Sequence, residues 1–143
     1  MDPDAALARY AAYFDTLSRE RLAEMDALFA PDARFRDPFN DVRGIAAIRN
    51  VFAHMYKTIE RPRFAILHRV SAGDVGYLKW RFTGMLGRRP FDFVGLSEVR
   101  FNPQGLVVEH LDYWDSGTLV YERVPLLGAL VRVIKRRVSA PSP

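Results

Sequence analysis

His110 and Asp112 stand two residues apart in the stretch Val107-Val108-Glu109-His110-Leu111-Asp112-Tyr113-Trp114-Asp115. The stretch follows a turn signal, Asn102-Pro103-Gln104-Gly105, and its composition predicts a strand. Successive strand side chains face opposite ways. Val108, His110, Asp112 and Trp114 are therefore expected on one face, and Val107, Glu109, Leu111, Tyr113 and Asp115 on the other. An imidazole beside a carboxylate on an apolar wall is what a small-molecule pocket needs. The chemistry within its reach is proton transfer next to a carbonyl. A carboxylate enclosed in apolar surroundings loses hydration and holds its proton more tightly, which moves it toward the working range of a base. The enolate so formed needs a donor fixed in place. Asp37 or Asp112 can be the base, and Tyr10, Tyr13, Ser97 or protonated His110 the donor.

Each of these residues also has a structural reading. Asp37 precedes Pro38, where an Asp organises a turn. His110 fits a core histidine bonded to a neighbouring strand, and Tyr10 and Tyr13 fit core aromatics with satisfied hydroxyls. Trp80 and Trp114 are pocket wall or core. The three histidines, His54, His68 and His110, share no ligand spacing and there is no cysteine, so neither a metal site nor a thiolate nucleophile is expected. No cofactor is expected either.

The elements that must position these groups follow from periodicity. Asp2-Pro3 starts a helix with Leu7, Tyr10, Phe14 and Leu17 on one stripe. Ser18 caps a second, whose stripe Leu22, Met25, Leu28 and Phe29 runs to a stop at Ala30-Pro31-Asp32. Residues 33–37 alternate as a short strand, 37–44 form a loop, and Ile45 to Ile59 form a third helix carrying Phe52. Beyond Pro62 the period is two. Phe64, Ile66, His68 and Val70 share a face, Leu78, Trp80 and Phe82 share the next, and Phe91 to Phe101 is a long strand that includes Ser97. Helices first and antiparallel strands after define an α+β fold.

The net charge of +4 is uneven. From Arg123 to Pro143 there are five basic residues and no acidic one, leaving 16 basic against 17 acidic elsewhere, or −1. A balanced body argues against nucleic acid, which selects cations spread over a face with aromatics among them. After Pro125, Leu126, Leu127, Leu130, Val131, Ile134 and Val138 make an apolar stripe apart from Arg132, Lys135, Arg136 and Arg137. That is a basic amphipathic helix, expected to cover the sheet or its open end with a solvated basic face, or else to touch an anionic membrane or a partner. No apolar run is long enough to span a bilayer, and Met1-Asp2-Pro3-Asp4 opens no signal peptide, so the cytoplasm is the expected compartment.

Residues 28–38 (LFAPDARFRDP), the Gly44-to-Tyr56 helix and the ending Asp112-Tyr113-Trp114-Asp115 resemble the NTF2-like superfamily, within it the SnoaL-like polyketide cyclases and ketosteroid isomerases. The resemblance covers about residues 5–121 and makes 122–143 an added helix and frayed tail. It implies a cone-shaped, curved, mostly antiparallel sheet wrapped around the N-terminal helices, a cystatin-like α+β barrel, with a hydrophobic ligand in its open end and a homodimer through the sheet. It places Asp37 at the isomerases' general-base Asp and Tyr10 or Tyr13 near their first-helix Tyr. Ser97 stands where they have a protonated Asp, Phe29 and Phe52 where they have supporting tyrosines, and His110 and Asp112 where they have apolar residues. Asp112 matches better the acid/base Asp that SnoaL-like cyclases keep near the terminal strands. The Asp-Arg-Asp set of limonene-type epoxide hydrolases is not evident. Two functions are then expected: an isomerase or cyclase for a polycyclic or lipid-like carbonyl compound, with Asp37, Asp112, His110 and Tyr10 as catalytic residues and Tyr13, Phe52, Leu78, Trp80, Ser97 and Trp114 as ligand contacts; or a non-catalytic binder of such a ligand.

Overall fold

The computed structural model describes residues 1–143. Helix α1 (Pro3–Asp15) begins where Asp2 accepts hydrogen bonds from the Asp4 and Ala5 amides, with Pro3 needing no partner for the N–H it lacks. Its buried face carries Leu7, Tyr10, Tyr13 and Phe14. A 3-10 helix (Glu20–Ala27) follows, where Ser18 accepts from the Arg21 amide at 3.3 Å.

The apolar spacing predicts a helix continuing through Phe29, and here the chain differs. Strand β1 already starts at Phe29 and runs to Arg36. Leu22 and Met25, three apart, are the buried pair of the preceding segment, a spacing that suits three residues per turn. The Val107 amide donates to the Leu28 carbonyl at 2.8 Å and Phe29 pairs with Val107, which draws the chain into the sheet early. Pro31 is accommodated because β1 shifts register between Phe29 and Arg34, so no ladder donor is missed there.

Strand β2 (Asp41–Arg43), helix α2 (Ile45–Thr58) and strands β3 (Glu60–Ala72), β4 (Val75–Leu86), β5 (Arg89–Phe101) and β6 (Val107–Tyr113) complete the body. The six strands form one curved, unclosed sheet in the order β2-β1-β6-β5-β4-β3. All neighbours are antiparallel except β1 and β6, which run parallel. Helix α1 lies against β3 and β4, and α2 against β1. The core is their shared interior, with Phe29, Phe35, Met25, Ile48, Leu78 and Val99 fully buried. Each such side chain contributes about 1.5–3 kcal/mol by leaving water.

Two of the sheet's register shifts, single-residue bulges in β3 and β6, change its faces beside the core. Leu67 is an extra residue on β3, between the pairs Ile66–Trp80 and His68–Lys79. Phe64 and Ile66 therefore point inward, while His68 and Val70 turn outward, where the sequence pattern had all four on one face. Val108 is extra on β6, between Glu109–Arg100 and Val107–Phe101. This returns Val107 to the buried side beside His110 and leaves Val108 half-buried. C-terminal of that bulge the alternation holds, with His110 inside and 3% exposed.

Helix α3 (Ser116–Leu119), a 3-10 turn (Tyr121–Arg123) and helix α4 (Leu127–Val138) finish the chain. Helix α4 packs chiefly on that turn and does not cover the sheet. Leu130, Ile134 and Val138 stay exposed because the face that docks is the one carrying Gly128, Arg132 and Lys135.

Candidate active site

Strand β6 pairs with β5 so that Ser97 lies opposite Asp112 and Val99 opposite His110. Strand β4 places Leu78 opposite Ser97 and Trp80 opposite Gly95. These registers set five polar side chains in one line. The Trp80 indole N–H donates to Ser97 Oγ at 2.8 Å. Ser97 Oγ donates to Asp112 Oδ1 at 2.5 Å, the short distance of a hydroxyl on a carboxylate. His110 Nε2 lies 2.6 Å from the same oxygen, and His110 Nδ1 lies 2.7 Å from the Tyr10 hydroxyl.

Proton positions follow from that line. Burial, then the Asp112 charge, then Tyr13 push the Tyr10 phenol well above its ordinary pKa, so it keeps its proton and donates to Nδ1. The imidazole proton is then on Nε2 and is given to Asp112. The imidazole is boxed by Phe35, Phe14 and Tyr10, with ring centroids 4.8, 5.9 and 5.8 Å away.

Asp112 is where this line meets a cavity. Both of its hydrogen bonds fall on Oδ1. No buried side-chain oxygen in the chain lacks a partner, so Oδ2, which has none, is accessible. The cavity that Asp112 borders has a volume of about 220 Å³ and mainly apolar walls, among them Phe35, Phe52, Phe64, Phe93 and Trp114. That is below the usual range for drug-sized ligands and suits a small compound. The half-exposed ring of Phe39 marks its rim. Asp37, Asp112 and Trp114 also border a second cavity of about 520 Å³, beside Arg36 and Tyr113.

The sequence profile of the SnoaL-like domain matches residues 10–110, well over half of the chain. The chain belongs to the SnoaL-like domain family. No curated protein matches it at a significant level. Among solved structures it is similar to a ketosteroid isomerase-like hypothetical protein from Catenulispora acidiphila, with 19% identity over 80% of this chain and 88% of that one and a TM-score of 0.69. It is similar to a candidate polyketide cyclase from Xanthomonas campestris pv. campestris, with 15% identity over 79% and 92% and a TM-score of 0.69. It is also similar to a steroid delta-isomerase from Pseudomonas aeruginosa, with 22% identity over 96% and 95% and a TM-score of 0.60. At such identities the likeness establishes the NTF2-like fold.

In this SnoaL-like domain the residues expected to act together do not all converge on one point. Asp112, Trp80, Phe52 and Trp114 reach the cavity. His110, Ser97 and Leu78 stand behind them on a cleft of only about 10 Å³, and Tyr10 is buried deeper still. Tyr13 turns away. Its hydroxyl donates to the Arg21 carbonyl at 2.8 Å, and burial first of all pushes it up to about 12. Asp37 does border the cavity, but its carboxylate is occupied. Oδ1 accepts from the Phe39 and Asn40 amides at 2.7 Å each, and the Asn40 side-chain amide contacts both oxygens at 3.1 and 3.0 Å. His54 stands exposed at the cavity edge.

Two further residues, outside the set expected from the sequence, shape the site. Asn40 holds Asp37, and the Asp-Pro-x-Asn spacing was the available signal. Gly95 is the other. A Cβ there would overlap the Trp80 indole, so the bare backbone lets the ring lie flat and reach Ser97. Gly95→Ala is expected to cost about 1–3 kcal/mol by overpacking. Urea denaturation measures that loss, and near-UV circular dichroism the displacement of Trp80.

The tyrosines make stability pH-dependent in the alkaline range. An unfolded Tyr releases its proton near pH 10. Folded Tyr13 holds it to about 12, and Tyr10 is also raised. Between these values the native state binds more protons than the unfolded one, so stability falls as pH rises. Urea midpoints are expected to hold up to about pH 9 and then decline, with a shallower decline in Tyr13→Phe. Parallel declines in the two proteins contradict the assignment.

Proposed function

We propose that this SnoaL-like domain moves a proton on a small hydrophobic carbonyl compound, as an isomerase or cyclase acting with its own side chains. The observation that carries the reading is Asp112, with one carboxylate oxygen held by Ser97 and His110 and the other open to an apolar cavity. Two bonds on Oδ1 fix the plane of the carboxylate before substrate arrives, which is the orientation a base needs. Oδ2 takes the proton from the carbon beside the carbonyl. The C–H electron pair moves into a new C=C bond and the carbonyl oxygen becomes the enolate oxygen. Where a second C=C is conjugated with that enolate, the electron pair reaches its far carbon, and returning the proton from Asp112 there completes an isomerisation. Attack of the enolate carbon on a second carbonyl of the same molecule closes a ring, and the alkoxide left on that second oxygen takes back the proton held by Asp112.

Ser97 and the His110 N–H are committed to Asp112, so neither supplies the donor for the enolate. Trp114 borders the cavity and its indole N–H donates to no group of the chain, which makes it an available donor, with the exposed His54 ring at the cavity edge as the other. Hydrogen–deuterium exchange at the α-carbons of a panel of cyclic ketones and β-diketones, followed by NMR in deuterated buffer, tests the reading. Catalysed exchange supports it, and exchange at the buffer rate for every compound that binds removes it.

One observation favours the second reading, a binder without turnover. Trp80, Ser97, His110 and Tyr10 satisfy one another through Asp112 and aim no further donor at the cavity. A retained ligand, identified by mass spectrometry of the native protein and inert in the exchange assay, is the result that reading expects. No helix of the chain is long and apolar enough to cross a membrane.

A further inference from the structure

We infer that α4 is an interfacial helix, which docks the chain onto an anionic bilayer beside the cavity. The first observation is which face of the helix is used. Gly128 sits so close to the Glu122 backbone that a Cβ would overlap it. Arg132 donates to the Glu122 carbonyl at 3.3 Å, and Lys135 contacts the Glu122 carboxylate at 3.0 Å and the Thr118 hydroxyl. These three residues hold α4 to the chain. The apolar stripe lies on the far side of the helix from them, more than a third of a turn away, and touches nothing that buries it. Leu126 is 89% exposed, Leu130 56%, Ile134 54% and Val138 82%. Leaving that stripe in water forfeits the burial that would stabilise the helix.

The second observation is charge. From Arg123 onward the chain has five cations and no anion. Arg136 and Arg137 make no ion pair, and at helical spacing Arg137 lies along the edge of the apolar stripe away from the docked face. Long cations beside an apolar stripe can extend past it to headgroups while the stripe enters the acyl region. A second copy of the same helix would bring like charges together. An anionic bilayer supplies both an apolar interior and the opposite charge, and it is the occupant that matches both faces.

The third observation is location. The turn that anchors α4 is built into the cavity wall. Tyr121 packs on Phe39 with ring centroids 6.0 Å apart, the Arg123 guanidinium lies 5.4 Å over the Phe91 ring, and Val120, Phe39 and Phe91 all border the cavity. A docked α4 therefore holds the cavity rim close to lipid. The inference is independent of the role proposed for Asp112.

Co-sedimentation of the full chain with phosphatidylcholine vesicles, with and without phosphatidylserine, tests it. The chain is expected to pellet with the anionic vesicles and to stay in solution with the neutral ones. Leu130→Glu with Ile134→Glu is expected to abolish pelleting. Arg136→Gln with Arg137→Gln, which touches no packed surface, is expected to weaken it by about five-fold per cation removed. A chain that ignores phosphatidylserine, or an arginine variant that pellets like the parent, overturns the inference. So does sedimentation velocity in which the Leu130/Ile134 variant turns a dimer into a monomer, because the stripe then belongs to a second copy.

Discussion

Replacing Asp112 by Asn is expected to slow α-hydrogen exchange by about 10²–10⁴-fold, the contribution of a well-placed general base. The amide has the shape of the carboxylate, and its oxygen can still accept from Ser97 and from the His110 N–H. What it loses is the basic oxygen at the cavity. Ligand affinity is expected to stay within a few-fold of the parent, so the change appears in the rate and not in binding. Asp37→Asn is the informative companion. Both Asp37 oxygens are engaged by the 39–40 turn, so that variant is expected to retain most of the exchange rate. If Asp37→Asn abolishes exchange and Asp112→Asn spares it, the base is on the loop and the assignment to β6 is wrong.

The second large effect is expected at His110. Phenylalanine can take the place of the imidazole among Tyr10, Phe14 and Phe35, so the packing is largely kept. The hydrogen bonds are lost. The Tyr10 hydroxyl is left without an acceptor in a fully buried place, at about 1–3 kcal/mol, and Asp112 loses one of the two bonds that orient it. His110→Phe is therefore expected to lower the stability measured in urea and the exchange rate together. Tyr10→Phe in the same chain removes the orphaned hydroxyl and is expected to recover most of the stability while the rate stays low. A double variant no more stable than His110→Phe alone shows that the buried hydroxyl is not the source of the loss.

Much of this arrangement is legible in the sequence, for identifiable reasons. The pairing of His110 with Asp112 follows from a two-residue period that holds over the end of β6. The α+β order and the cap at Asp2-Pro3 follow equally from local rules. Bulges do not. Nothing local marks Leu67 or Val108 as an extra residue, because a bulge is set by the partner strand, and each one reverses the faces expected beyond it. Which oxygen of which carboxylate is free is equally invisible, since Asp37 is filled by Asn40 and Asp112 by groups on β5 and β6. The expectation that α4 covers the sheet fails because hydrophobic periodicity identifies a stripe and not its partner. Gly128, a single residue on the flank, decides which side docks.

The parallel pairing of β1 with β6 has a consequence for how the chain is made. Arg34 meets Glu109 across 75 positions, and Tyr10 meets the His110 ring across 100. Contacts that span so much of the sequence are slow to form, because the intervening loop must be closed first. During synthesis the first strand emerges from the ribosome long before its only parallel neighbour exists. The sheet can be completed, and Asp112 set in place, only when the chain has been translated through Val107–Tyr113.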